Sequence, residues 1–315
     1  AARCGSPKFY QEEKEKMKGS QMAWQRKRTI TGILFLLPFL AITCVFILYP
    51  LYNVIRYSFF EWNGIGKARF VGLDNYRMLP TTEGFWTMAQ ATLIYAVGVT
   101  ALVVVAGYLL ALALDKTGRF RINRTLMRVM WFFPCLLSGI IVGIIWHIMY
   151  NYNSGLINYL LNAIGLESVN WLETYGVTML AVIVASVWIQ VGMCAIIFLA
   201  GLQSIPRDML EAAELDGTNR WQRETKIVLP IMAPSITINV ITTSIAAFKA
   251  YELPFTVSNG LPGYSTRLLT QRVYFYSFET NKYGIASALS VLLVIVITVV
   301  SLLQLIVLKK REDIY

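Results

Sequence analysis

The chain has 315 residues, of which 56% are hydrophobic and 15% are charged, and it carries a formal net charge of +10. Its mean hydropathy of +0.55 is too high for a soluble globular domain of ordinary composition. The positive charge does not require a nucleic-acid partner, because it falls in the polar segments that flank long apolar stretches.

Six stretches lack Asp, Glu, Lys and Arg, and each is long enough to cross a bilayer, which takes about 20 apolar residues. They cover residues 30–49, 84–114, 129–150, 176–199, 227–248 and 283–308. The sequence therefore predicts an all-α membrane protein with six transmembrane helices. We expect one transmembrane domain, 30–308, between an N-terminal tail, 1–29, and a C-terminal tail, 309–315.

Lys and Arg are distributed unevenly between the two sides that this topology creates. Of the 28 Lys and Arg residues, eight lie in the first, third and fifth connections, and the other 20 lie in the tails and in the second and fourth connections. Cytoplasmic segments of membrane proteins carry the excess of Lys and Arg. Both termini and the fourth connection are therefore predicted to be cytoplasmic.

The fourth connection contains an unusual concentration of charge. Residues 211–230 read EAAELDGTNRWQRETKIVLP, and seven of these residues are charged. They are Glu211, Glu214, Asp216, Arg220, Arg223, Glu224 and Lys226. A stretch that only connects two spans would not need so many charges, so we considered what structure it forms.

Local propensities in this stretch predict a helix–glycine–helix elbow. Gly217 suits the C-terminal stop of a first helix. Asn219, followed three residues later by Gln222, is typical of the capping box that begins a second helix. We expect that second helix to bend near Pro230 and Pro234 as it enters the fifth apolar stretch.

Motifs of enzymes and nucleotide-binding proteins do not occur. The sequence contains no P-loop, no HExxH and no GxSxG pattern, and the six apolar stretches hold no carboxylate. We therefore expect no catalytic residue, no metal site and no cofactor on this chain, so that another chain would supply the energy for any pumping. The single histidine, His147, is expected to form an interhelical hydrogen bond.

The charged stretch resembles the EAA motif of ATP-binding-cassette importer permeases. Glu211, Ala212 and Ala213 are followed after three residues by Gly217, and after nine more by the pattern Ile-x-Leu-Pro at 227–230. The run GLQSIP at 201–206 also resembles this family, and FVGLDNY at 70–76 resembles its carbohydrate branch. The resemblance extends over roughly residues 30–310.

This resemblance implies a type I importer permease whose elbow, about 201–233, docks in a groove of a cytoplasmic ATPase. The residues implied in ATPase coupling are Glu211, Ala212, Ala213, Asp216, Gly217, Ile227, Leu229 and Pro230. The implied partners are a second permease subunit, two ATPase subunits that hold ATP and Mg, and an extracellular or periplasmic solute-binding protein. The implied location is the bacterial or archaeal cytoplasmic membrane, and the implied mechanism is alternating access.

Candidate substrate contacts follow from side-chain chemistry, because sugars are bound by aromatic faces, amides and hydroxyls. They are Ser138, Trp146, Ser186, Trp188, Gln190 and Thr243, together with Lys249. For each aromatic residue, packing or lipid contact is the alternative. Lys249 and Glu252 are expected to share a helix face, which allows them to pair. An unpaired Lys249 would instead favour an anionic saccharide or a sugar phosphate.

Two other functions remain open at this point. The chain could be a permease for another solute, such as a sugar phosphate or an acidic saccharide. It could also be a membrane anchor that recruits an ATPase without transporting anything. Polar groups that face a common cavity would argue against the anchor.

Overall fold

A computed structural model describes Met17, Trp24, Arg28 and residues 31–115 and 124–312 of the chain. The chain divides into two compact units, Ala1–Arg56 and Tyr57–Tyr315. Among the described residues, four helices are long and apolar enough to cross a membrane. They are α1 (Thr31–Tyr57), α3 (Phe85–Asp115), α7 (Val177–Gln203) and α13 (Tyr283–Glu312).

The remaining two predicted spans are bent pairs of helices. If each pair is counted as one span, the described chain has up to six spans. The first pair is α4 (Arg124–Phe132), which continues as a 3-10 turn to Leu136, and α5 (Gly139–Met149). The second pair is α9 (Arg220–Ile231) and α10 (Ala233–Phe248).

The break in the third stretch was not predicted by hydropathy. The two halves meet at an angle of 108°. Pro134 opens the 3-10 turn, and Leu137 is then extended with ψ 148°. Ser138 starts α5 by accepting a hydrogen bond from the backbone N–H of Ile140 at 3.3 Å. Hydropathy averaged over a window does not reveal this break, because Pro134 and Ser138 change the average of a mostly apolar stretch very little.

The bend in the fifth stretch was predicted, and it is confirmed. Helices α9 and α10 differ in direction by 68°, and the break falls at Met232, between Pro230 and Pro234. A proline lacks the N–H that would bond to the preceding turn, so two prolines four residues apart weaken the ladder on both sides of Met232.

The connection after α1 contains a small ordered element beside the helices. Strands β1 (Phe60–Glu61) and β2 (Arg69–Phe70) pair antiparallel. The ion pair between Arg69 Nη2 and Glu61 Oε2, at 2.5 Å, lies on this hairpin. Helix α2 (Asp74–Met78) follows, and buried Asn75 donates to the carbonyl oxygens of Ser58 and Phe60.

Shorter helices complete the described chain. Helix α6 (Leu156–Ala163) precedes α7, and α8 (Arg207–Leu215) lies between α7 and α9. Helices α11 (Glu252–Ser258) and α12 (Leu269–Tyr274) lie between α10 and α13. His147 Nδ1 on α5 lies 2.8 Å from the carbonyl oxygen of Val257 on α11, which confirms the predicted interhelical hydrogen bond.

The buried core forms where α3, α7 and α10 pack together. Its fully buried side chains include Tyr95, Val99 and Val103 on α3 and Val182 and Phe198 on α7. Glycines permit the close approach of these helices. A Cβ atom at Gly107 would lie 2.6 Å from the sulfur of Cys194. Small residues at such contacts are typical of helix packing in membranes, where dispersion and hydrogen bonding replace the hydrophobic drive.

Gly192→Ala should destabilise the protein, whereas Gly98→Ala should not. A Cβ atom at Gly192 would collide with the backbone carbonyl oxygen of Trp131, which cannot move away without moving α4. At Gly98 the nearest atom is the flexible end of the Ile183 side chain, at 2.9 Å. Overpacking of this kind lowers the free energy of unfolding by about 1–3 kcal/mol. Both substitutions raise the helix propensity equally, so the difference between them reports the overpacking.

Thermal unfolding of the detergent-solubilised protein, followed by size-exclusion chromatography after heating, measures the difference. Gly98→Ala is the matched control, because it makes the same chemical change in a helix of the same core. Equal unfolding temperatures for the two variants would contradict the close approach of α4 to α7.

Candidate functional site

A polar cavity of about 370 Å³ lies where α3, α5 and α7 meet the segment between α10 and α11. Its lining comprises Tyr95, Gly139, Ser186, Ile189, Gln190 and residues 249–254. Gln190 is the central residue of the 27-residue α7. The cavity is therefore at mid-length of a helix long enough to span the membrane.

Hydrogen bonds hold the polar wall of this cavity in place. The hydroxyls of Tyr95 on α3 and Ser186 on α7 lie 2.9 Å apart, and Ser186 also donates to the carbonyl oxygen of Val182 at 2.8 Å. Gln190 Nε2 donates to the carbonyl oxygen of Ser186 at 3.2 Å. A primary amide has one further donor and an acceptor oxygen, so Gln190 has capacity left for a ligand.

The opposite wall is an interruption between two helices. Helix α10 ends at Phe248 and α11 begins at Glu252. Tyr251 has φ −137° and ψ −61°, which is not helical. The prediction that Lys249 and Glu252 share a helix face is therefore wrong. The two residues belong to different elements, and no ion pair joins them among the salt bridges of the described chain.

Lys249 and Glu252 nevertheless both line the cavity, and both are exposed. The Glu252 carboxylate lies against Gly139, where an added Cβ atom would be 3.2 Å from Oε2. Gly139 is the first residue of α5, so the positive end of that helix dipole faces this carboxylate. Lys249 follows the last residue of α10, at the negative end of that helix dipole, and it has no ion-pair partner in the described part of the chain.

The structure separates the predicted substrate contacts into two groups. Ser186, Gln190 and Lys249 line the cavity. The other four do not: Ser138 caps α5, Trp146 and Trp188 pack on each other with ring centroids 6.0 Å apart, and Thr243 is buried at 8% exposure. Tyr95 and Tyr251 were missed, because no local sequence pattern shows that either tyrosine faces a cavity rather than the core.

A wider cleft of about 670 Å³ lies elsewhere, in the connecting segments around the hairpin and the start of α13. Its charged lining residues are Glu61, Lys67, Arg69, Asp74 and Lys282. Two of them, Glu61 and Arg69, are already paired with each other. Because neither α3 nor α7 lines this cleft, we consider the smaller cavity the better candidate for contact with a transported solute.

The elbow has the predicted construction. Helix α8 ends at Leu215, and Gly217 has a left-handed φ of +75°. The Asn219 side chain accepts from the N–H of Gln222 at 2.8 Å, and the Gln222 side chain accepts from the N–H of Asn219 at 3.0 Å. This reciprocal pair is the predicted capping box. The Thr218 hydroxyl adds a hydrogen bond to the carbonyl oxygen of Ala213 at 2.6 Å.

The predicted coupling residues fall into an exposed and a less exposed part of the elbow. Glu211, Ala212, Asp216 and Gly217 are exposed, Ala213 is buried, and Ile227, Leu229 and Pro230 are half-buried. Large apolar side chains are also exposed here, with Leu215 at 89% and Trp221 at 75%. The elbow therefore combines charge with uncovered apolar surface, as a surface for a protein partner does.

Two elbow contacts and one π-helical turn were not anticipated from the sequence. Arg223 Nη1 lies 2.6 Å from Glu214 Oε1, which joins α9 to α8. The next residue, Glu224, accepts a hydrogen bond from the hydroxyl of Tyr108 on α3. Glu224 also opens a π-helical turn, Glu224–Val228, within α9. The two contacts join positions nine and 116 apart, and no local pattern points to either of them.

Comparison with known proteins agrees with this architecture. Residues 103–313 match the family described as binding-protein-dependent transport system inner membrane component. The chain is 30% identical over 279 residues to the probable starch degradation products transport system permease protein AmyD of Thermoanaerobacterium thermosulfurigenes, covering 89% of this chain and 94% of that protein. It is 34% identical over 282 residues to the multiple sugar-binding transport system permease protein MsmF of Streptococcus mutans, covering 89% and 96%.

A solved structure supports the fold. It is the crystal structure of a bacterial alginate ABC transporter in complex with an alginate pentasaccharide-bound periplasmic protein, which matches with a TM-score of 0.80 at 22% identity. The match covers 92% of this chain and 98% of that chain. The chain is thus a member of the binding-protein-dependent transport system inner membrane components, a permease subunit with the type I ABC importer fold.

Proposed function

We propose that this chain is the membrane-spanning permease subunit of an ATP-driven importer, and that it translocates a saccharide delivered by a solute-binding protein. The observation that carries the proposal is the polar cavity at mid-length of α7. A membrane anchor without transport activity would have no use for amide, hydroxyl and charged groups that converge inside the membrane, where polar groups are costly.

The chemistry of the cavity suits a sugar. Gln190 and Ser186 offer an amide and a hydroxyl, Lys249 and Glu252 offer charged donors and acceptors, and Tyr251 adds a phenol ring. Its volume of about 370 Å³ falls at the lower end of the range for small-molecule sites. The names of two relatives, which refer to starch degradation products and to multiple sugars, support the same substrate class.

An acidic saccharide is the second candidate. The Glu252 carboxylate faces the start of α5, whereas Lys249 lacks an ion-pair partner in the described chain. An ammonium group without an ion-pair partner would favour a ligand carboxylate, because a hydrogen bond between two charged groups is stronger than one between neutral groups. A sugar phosphate would use the same ammonium group.

The partners follow from the absence of a nucleotide site in the sequence and from the exposed elbow. In this proposal two cytoplasmic ATPase subunits hold ATP and Mg and receive the elbow, about 201–233, through Glu211, Ala212, Ala213, Asp216 and Gly217. A second permease subunit completes the pathway. The chain lies in a bacterial or archaeal cytoplasmic membrane with six spans in 30–308 and with cytoplasmic tails at 1–29 and 309–315. Closure of the ATPases would then switch the cavity between the two sides.

Gln190→Ala should lower transport without affecting assembly. The variant removes an amide that has free hydrogen-bonding capacity, and such a loss costs about 1–3 kcal/mol, so uptake at limiting solute should fall roughly tenfold. Uptake by proteoliposomes with the solute-binding protein measures this over a panel of neutral and uronate-containing oligosaccharides.

Gln90→Ala is the matched control, because Gln90 is an exposed residue of α3 outside the cavity lining. Uptake of neutral sugars would support the first candidate, and uptake of uronates alone would support the second. Normal uptake by Gln190→Ala would show that the solute path avoids this cavity.

Gly217→Val should release the ATPase, whereas Gly217→Asn should retain it. An added Cβ atom at Gly217 meets nothing within 4 Å, so only the backbone at φ +75° resists a side chain. A left-handed conformation costs most L-residues about 1–2 kcal/mol, and asparagine tolerates it better. Co-purification of the ATPase with each variant measures the effect. If Gly217→Val keeps both the ATPase and full transport, the elbow is only a connector.

Cysteine labelling tests the orientation. In a background without the four native cysteines, Arg121→Cys should resist an impermeant thiol reagent added outside intact cells, because the second connection is rich in Lys and Arg. Asn153→Cys, in the third connection, should react. The reverse pattern of labelling would overturn the cytoplasmic placement of the termini.

A further inference from the structure

Two consecutive residues tie the elbow to two different parts of the protein. Arg223 on α9 forms the 2.6 Å ion pair with Glu214 on α8, and the Arg223 side chain is only 23% exposed. Glu224 accepts the hydrogen bond from Tyr108 on α3. A displacement of α8 therefore reaches Glu224 through one side-chain contact and one peptide bond.

The elbow between these contacts is built to move as one piece. The capping box fixes the start of α9, and the Thr218 hydroxyl fixes the turn to the end of α8. Ala213 is buried at 6% exposure on the inner side of α8. These hydrogen bonds hold the turn between α8 and α9. A force on the exposed residues of α8 therefore moves Glu224 as well, instead of only deforming the turn.

Helix α3 carries the contact onward to the cavity. Tyr108 and Tyr95 lie on the same uninterrupted 31-residue helix. Thirteen residues separate them, which corresponds to about 20 Å of helix at 1.5 Å per residue. The Tyr108 ring packs edge-on against Phe198 of α7 with centroids 5.4 Å apart, and Tyr95 bonds to Ser186 in the cavity wall.

The direct route along the elbow's own helix is interrupted. Helix α9 contains the π-helical turn Glu224–Val228 and then bends by 68° into α10. A π turn and a proline break both weaken the ladder that would keep a helix straight. A displacement of the start of α9 is therefore only partly transmitted along the helix to α10. The side-chain contact with α3 is a separate route for the same displacement.

From these contacts we infer that Tyr108 and Glu224 are a positioning pair that transmits movement of the elbow to α3 and so to the cavity. The inference rests on the proposed function as an ATP-driven importer. Neither residue lines the cavity, so the pair would act on the coupling between hydrolysis and transport. Its loss should leave the ATPase docked and hydrolysing ATP while less solute is moved per ATP.

Tyr108→Phe tests the pair in the complete complex in proteoliposomes, with the solute-binding protein and its solute. The change removes one hydroxyl and keeps the ring that packs on Phe198. A hydrogen bond to a charged group is strong enough to shift a two-state population about tenfold, so solute transported per ATP hydrolysed should fall roughly tenfold. Co-purification of the ATPase should be unchanged.

Variants of Glu224 separate positioning from general stability. Glu224→Gln keeps an acceptor oxygen of the same shape and should retain coupling, whereas Glu224→Leu should lose it. The double variant Tyr108→Phe/Glu224→Leu should be no worse than either single variant, because both remove the same contact. If Tyr108→Phe does not assemble, the comparison of Glu224→Gln with Glu224→Leu decides the question.

Tyr150→Phe is the matched control. Tyr150 is buried at 3% exposure and donates a hydrogen bond to the carbonyl oxygen of Ala181 at 3.0 Å, away from the elbow. Wild-type coupling in Tyr108→Phe, or an equal loss in Tyr150→Phe, would overturn the inference. A wild-type complex without solute-stimulated ATP hydrolysis would instead contradict the proposed function itself.

Discussion

The architecture depends on one constraint: within a bilayer, every backbone N–H and C=O group must find a partner inside the protein. Uninterrupted helices meet this condition by themselves, as α3, α7 and α13 do. Interrupted helices meet it only where other protein surrounds them. The interruptions at 137–138 and 249–251 both border the polar cavity, with α3 and α7 packed beside it. The interruptions that cost backbone hydrogen bonds therefore supply one wall of the cavity, opposite the polar wall formed by Tyr95, Ser186 and Gln190.

The cavity also shows how a membrane protein can hold opposite charges without a direct ion pair. Glu252 faces the start of α5, where Gly139 leaves room for the carboxylate and the helix dipole is favourable. Lys249 follows the last residue of α10, so it lies at the negative end of that helix. Each charge is partly compensated by the end of a different helix, and each stays available to a ligand. A direct pair would have neutralised both.

Exposed residues of the elbow are suited to contact with a partner, and its buried residues attach it to the rest of the chain. Its outer residues, including Glu211 and Leu215, are exposed and uncovered, which suits a surface that meets a soluble partner. Its inner residues anchor it: Ala213 and Val228 are buried, and Glu224 reaches α3 through Tyr108. The elbow thus contains glycine and charged residues, which are typical of flexible loops, but its hydrogen bonds hold it in one conformation.

Sequence alone determined the features that depend on a few neighbouring residues or on the hydropathy summed over about 20 residues. Long charge-free stretches indicated the spans, because hydropathy adds along the chain. The capping box at Asn219, the left-handed stop at Gly217 and the bend between Pro230 and Pro234 each follow from a few neighbouring residues, and all three are confirmed. The spacing of the EAA motif indicated the family, which the family match confirms.

Only the tertiary structure decided which residues meet. The Tyr95–Ser186 hydrogen bond joins positions 91 apart, and the Tyr108–Glu224 hydrogen bond joins positions 116 apart. Helical spacing wrongly placed Lys249 and Glu252 on one face, because it assumed that the helix continues past Phe248, where α10 ends. It also could not separate Gln190, which lines the cavity, from Trp188, which packs on Trp146. Propensity and hydropathy act on neighbours in sequence, whereas a cavity is defined by side chains that approach from several helices, and their relative rotation is fixed only when those helices pack.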